Sequence, residues 1–166
     1  VTTFRLALVL AAGVLLAGCR AKEISAIDRA EAANAVSEAE FAVTMKDWGR
    51  AENLYSKAVG ICPDQGETWV GLGVVRMRLH NPDGAKSAYK SALSAYRDAM
   101  DKDPKDTLPV IRSASILVIL GRVDDARALV DKAYAKNPDD RRLRNFVEVK
   151  GLDRIAADPG LKEISP

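Results

Sequence analysis

Cysteine and histidine are nearly absent from this chain. Its 166 residues include two cysteines, Cys19 and Cys62, and one histidine, His80. Two thiols cannot build a disulfide framework, and with one imidazole they do not supply the ligands of a Cys/His zinc site. An excess of one charge is also lacking. The formal net charge of +2 is too small to imply nucleic acid or another anionic partner. Strand-like alternation of apolar and polar residues is scarce, so an all-α protein is expected. The nucleophile elbow, the phosphate loop and the Gly-x-Gly-x-x-Gly fingerprint are missing too. Asp101, Asp103 and Asp106 open like a calcium loop, but Asp106 sits where that loop needs glycine. Arg112 stands where it needs a bidentate Glu. The expectation is a protein with no catalytic residue, no metal and no cofactor, and with His80 as a solvated turn residue.

What the chain has is small residues at helical spacing. From Asp47 to Gly73 an amphipathic helix runs into a stop at Pro63 and Asp64, and a second helix opens near Glu67. Ala51, Ala58 and Gly73 let neighbouring helices approach closely, while Tyr55, Trp69 and Leu72 fill the remaining space. The rest of the chain repeats this helix–turn–helix seam. The spacing predicts front helices over 25–45, 67–79 and from about 108. Back helices are expected over 48–61, 85–100 and 123–136, with breaks at Lys46-Asp47, His80-Asn81-Pro82 and Gly121.

Ala51 to Ala85 spans 34 residues, as does Pro104 to Pro138. Pro63 to Pro104 and Ala85 to Ala126 each span 41, one period plus a seven-residue insertion. A period of 34 is the tetratricopeptide spacing. The chain resembles that family at Ala51/Tyr55/Ala58/Pro63, at Trp69/Leu72/Gly73/Ala85/Tyr89/Ala92 and at Gly121/Ala126/Ala133/Pro138. It departs in lacking the Trp and Gly of the first front helix, and in Val130 where Tyr is usual. The resemblance implies a right-handed α-solenoid of three helix pairs, over 25–63, 64–104 and 105–138. A capping helix and tail are expected over 139–166, because a repeat array needs a terminal element with one polar face. The insertion falls in the second unit, where Ala88-Tyr89 recurs as Ala95-Tyr96. Nearly two helical turns are added, so the buried face keeps its orientation. Packing within the array is expected, with a ledge for a partner as the alternative.

The first residues look like an address. Arg5 precedes Leu6–Leu16, an uncharged apolar run of eleven residues. A bilayer span needs roughly 20, so the run suits a secretory h-region. Leu16-Ala17-Gly18-Cys19 follows, and the segment resembles a bacterial lipoprotein signal. That resemblance implies a signal peptide over 1–18, cleavage before Cys19, acylation of its thiol and a short tether over 19–24. Arg20 replaces the Asp of inner-membrane retention, so the resemblance leans to the periplasmic face of the outer membrane. Ser25, with Asp28 three residues on, is the expected first helix cap. Cys62 is left as a structural passenger, with an intermolecular disulfide as the alternative.

A groove lined by the front helices is the expected working surface. Through the repeat register it includes Val36, Glu40, Val43, Val70, Val74, Met77, Ile111, Ser115 and Val118, flanked by Ala33, Glu67 and Leu108. Val and Ile replace the Lys, Arg and Asn with which some repeat proteins grip a peptide carboxylate. An apolar lining suits an amphipathic helix; the alternative is that these residues are core or lie under the final helix. The expected function is an envelope lipoprotein that holds a protein partner beside the membrane. The rivals are a self-assembling homo-oligomer and, more distantly, a small-ligand carrier or enzyme.

Overall fold

The computed structural model describes residues 23–166. Cys19, the expected signal segment 1–18 and residues 20–22 of the tether lie outside the described residues. Among the described residues nine helices run in order: α1 (Ala26–Thr44), α2 (Trp48–Ile61), α3 (Gly66–Arg78), α4 (Pro82–Lys102), α5 (Leu108–Ile119), α6 (Val123–Lys136), α7 (Arg141–Glu148), α8 (Gly151–Ala156) and α9 (Leu161–Ile164). The described residues contain no strand. α1 packs on α2, α3 on α4 and α5 on α6, and α2–α3 and α4–α5 join successive pairs. The architecture is therefore three helix pairs in series, closed by three short helices.

Local sequence sets where these helices begin and end. Ser25 and Asp28 form a full capping box at the start of α1, satisfying two donors that the helix leaves free. Asp47 and Asn81 cap α2 and α4 by accepting from the amides of Arg50 and Gly84. α4 starts at Pro82, three residues before the expected Ala85. Proline fits a first turn, whose amides have no helical partner.

The turn inside each pair is the same structure made from different residues. Lys46, His80 and Gly121 all adopt a left-handed backbone, with φ of 58°, 57° and 72°. In each case the next amide reaches back five residues: Asp47 to Ala42, Asn81 to Arg76 and Arg122 to Leu117. These are Schellman closures. Such short connections force the two helices of a pair to run antiparallel.

Alanine brings the helices together. Ala32, Ala39, Ala51, Ala58, Ala85, Ala88, Ala92, Ala114 and Ala126 have no exposed surface. α3 is the exception, carrying three glycines that face three tyrosine rings. A Cβ at Gly71 would lie 2.7 Å from the Tyr55 ring, at Gly73 2.4 Å from Tyr89, and at Gly66 2.4 Å from Tyr96. α2 contributes one of these rings and α4 two, so α3 is clasped from both sides. The extra Ala95-Tyr96 is part of this clasp. It makes α4 21 residues long, against 14 for α2 and α6. Tyr96 is buried against Ile116 and Ile119 of α5. The insertion packs within the array.

The closing region is split rather than one capping helix. Lys150 turns left-handed at φ 52°, ending α7, and Gly151 opens α8 beneath the Phe146 ring, where a Cβ would lie 2.3 Å away. Leu143 of α7 is fully buried against Val110, Ala114, Leu117 and Val130. Asp140 caps α7 through the Leu143 amide at 2.8 Å, and accepts from the buried Thr107 hydroxyl at 2.7 Å. These hydrogen bonds, the Leu143 amide foremost, hold the Asp140 carboxyl below its ordinary range.

Candidate peptide groove

The expected groove residues fall into three groups. On α1, Val36 and Val43 are half-buried and pack toward the first core cluster, beside Trp48, Leu54 and Trp69, while Glu40 is exposed. On α3, Val70, Val74 and Met77 are half-buried. On α5, Val118 is buried, and Ile111 packs on the cluster to which Phe146, Leu152, Ile155 and Leu161 also pack. Ser115 is half-buried and its hydroxyl donates to the Ile111 carbonyl at 3.0 Å. α7 and α8 both pack on α5, so the α5 part of the surface is largely taken up within the molecule.

The α3 part has an occupant. α9 packs on α3, and its Leu161 and Ile164 join the cluster of Tyr89, Tyr96, Ile116 and Ile119, alongside Val70 and Met77. Tyr89, fully buried, donates its hydroxyl to the Ile164 carbonyl at 2.7 Å. Burial pushes the Tyr89 phenol well above its ordinary range, so it stays a donor at any physiological pH. Gly73 makes this reach possible, because the ring lies where its Cβ would be. Glu163 pairs with Arg78 at the end of α3, and the same guanidinium stands 5.9 Å over the Trp48 ring.

The reading of 155–164 as a short turn or helix folding back around Asp158-Pro159-Gly160 matches α9 at Leu161–Ile164, but its docking on α3 through Tyr89 and Arg78 escapes sequence reasoning. Tyr89 reads as a core position of the repeat, and nothing in its spacing signals a polar partner 75 residues away. The contacts holding α9 are modest. Two half-buried aliphatics, one hydrogen bond and one exposed ion pair together contribute a few kcal/mol. Ordering the segment costs about 1–2 kcal/mol per residue.

Among the described residues no group of three or more His, Cys, Asp or Glu is placed to hold a metal ion. His80 is exposed. Cys62 is buried beside Ala58 and Ala32, and burial raises its thiol pKa, which suits a packing role. No described helix is long and apolar enough to cross a membrane.

Residues 85–148 match the family model described as tetratricopeptide repeat, a stretch running from α4 to the end of α7. No curated protein matches the chain. Among solved structures it is similar to the TPR2B domain of yeast Sti1, from a structure titled as a complex with pHsp70. That likeness has 19% identity, covers 76% of this chain and 93% of that one, and has a TM-score of 0.46. It is also similar to the Arabidopsis OM64 TPR domain, at 18% identity over 76% of this chain and 98% of that one, with a TM-score of 0.45. Repeats of this family generally mediate protein–protein interaction.

Proposed function

We propose that this chain, which carries tetratricopeptide repeats, is a lipid-anchored envelope adaptor holding a protein partner beside the membrane without catalysis. The observation that carries the reading is a repeat array with a partly apolar front face, preceded by a lipobox-like Leu16-Ala17-Gly18-Cys19. Cys19 supplies the anchor, and acyl chains bind the bilayer in proportion to the methylenes they bury. The outer membrane, periplasmic face, is the proposed location. Only residues 20–24 separate Cys19 from the Ser25 cap, about 17 Å of extended chain at most. The array is thus held close to the headgroups, and its partner with it.

Two measurements test this. Cys19→Ala should abolish fatty-acid labelling and release the protein from membranes; continued attachment of that variant refutes the anchor. Crosslinking in native membranes should trap a defined protein on the array. One specific observation favours a second reading, self-association. Ile27, Phe41 and Met45 are 80%, 60% and 65% exposed and share one side of α1 by helical periodicity. A mass that rises with concentration would support that reading over a hetero-partner.

A further inference from the structure

We propose that the groove over α3 is a peptide site that the chain keeps closed with its own α9. Its partner is a short helical segment with apolar residues at i and i+3 and an acid at i+2. The inference rests on the adaptor reading and adds a ligand class to it.

α9 shows what the surface accepts. Leu161 and Ile164, three apart, lie on one side of a single helical turn and meet the Tyr89/Tyr96/Ile116/Ile119 cluster beside Val70 and Met77. Glu163, between them, pairs with Arg78. The backbone is read as well, since Tyr89 Oη donates to the Ile164 carbonyl. That bond is available to any residue at the second apolar position, so the site selects pattern and charge rather than one sequence. The pairing of Arg78 with Glu163 favours an acidic ligand and disfavours a basic one in the same register.

α9 is also built to leave. It is one turn long, joined to α8 through Asp158-Pro159-Gly160, and neither of its aliphatics is fully buried. A partner of the same pattern that continues as a longer helix would keep these contacts and add others along α3. Closure by α9 then acts as a filter. Weak ligands meet an occupied site, and only a segment that outcompetes α9 binds. The population of the open state scales every apparent affinity.

The test uses the full chain and a fluorescent ten-residue peptide with the sequence of residues 157–166. Leu161→Asp combined with Ile164→Asp unseats α9. Anisotropy should then show binding at least about tenfold tighter than to the parent, as expected if the parent groove is open about one time in ten. Adding Arg78→Glu should weaken that binding several-fold, and a peptide carrying Lys in place of Glu163 should restore it. Equal binding to parent and opened chain overturns the closure. An opened chain with unchanged circular dichroism that does not bind overturns the site. Should the double variant misfold, hydrogen exchange on the parent decides. Excess peptide should deprotect the Glu163 and Ser165 amides, and unchanged protection overturns the proposal. A concentration-dependent dimer abolished by Ile164→Asp would mean that α9 seats in a second copy, which also overturns closure within one chain. A crosslinked partner mapped to another surface would leave the adaptor reading intact while a silent peptide ends this one.

Discussion

The two ends of the array are finished in opposite ways. At the far end α7 and α8 cover α5 and α6, and Leu143 sits in that seam with no exposed surface. At the near end α1 turns Ile27, Phe41 and Met45 outward. The buried residues of α1 are all alanine, Ala32, Ala35, Ala39 and Ala42, with Val36 and Val43 half-buried beside them. Its remaining hold on α2 includes the ion pairs Glu31–Lys57 and Glu38–Arg50, with Arg29–Asp64 reaching the loop beyond α2. Exposed pairs of this kind contribute little. A helix-pair array buries apolar surface only where a neighbour exists. Among the described residues, one end is covered by α7 and α8, and the other presents large apolar side chains to solvent. The sealed end is a stability device, whereas the open end is a candidate contact surface.

The sharpest way to break that contrast is to hollow out the sealed end. Leu143→Ala removes a side chain that touches both α5 and α6, and leaves a cavity where three helices meet. The expected loss is about 2–5 kcal/mol, read by urea denaturation as a lower midpoint with an unchanged slope. A loss under about 1 kcal/mol would mean that α7 is an appendage and that the array stands without its cap.

A smaller effect is expected one turn earlier, at the cap of α7. Asp140→Ala removes an acceptor from the Leu143 amide and leaves the buried Thr107 hydroxyl without its partner. Loss of such a cap costs about 1 kcal/mol. The pH dependence carries a sign. The folded-state pKa of Asp140 is depressed, so its contribution is present above the unfolded-state value of about 4. It is lost as pH falls through the lower folded value. The stability gap between parent and Asp140→Ala should therefore be full at neutral pH and close in acid below that value. A gap that stays constant into strong acid would remove the carboxylate from the account.

Much of this architecture was legible because caps and periodicity are local. α2 and α6 coincide with the expected 48–61 and 123–136, and Ser25 caps α1 as its spacing with Asp28 suggests. Gly121 announced its turn. Lys46 and His80 did not announce the left-handed positions they share with it, because an L residue there gives no compositional signal. The spacing of Leu143, Phe146 and Val147 predicts a capping helix, and Asp158-Pro159-Gly160 predicts the turn that folds the tail back. The break at Lys150 depends on a backbone conformation, and the start of α8 on the closeness of Gly151 to the Phe146 ring. The groove shows the limit most plainly. Val70 and Met77 could be placed on the front face by register. That Leu161 and Ile164 come to the same cluster is decided by contacts across the whole fold, and no periodicity reports those.

The smallest expected effect tests the open end. Phe41 is a large aromatic on a helix that packs through alanines with Val36 and Val43, and at 60% exposure it contributes little burial to the fold. Phe41→Ser should therefore change the unfolding free energy of the isolated protein by no more than about 0.5 kcal/mol. Leu143→Ala at the sealed end should cost several times as much. Phe41→Ser removes the larger apolar group, so a smaller cost there measures how differently the ends are finished. If Phe41→Ser instead costs as much as the cap variant, α1 is packed against something in the free protein, and the contrast between the ends disappears. If it costs nothing in isolation but reduces crosslinking in membranes, the side chain is retained for contact with a partner rather than for folding.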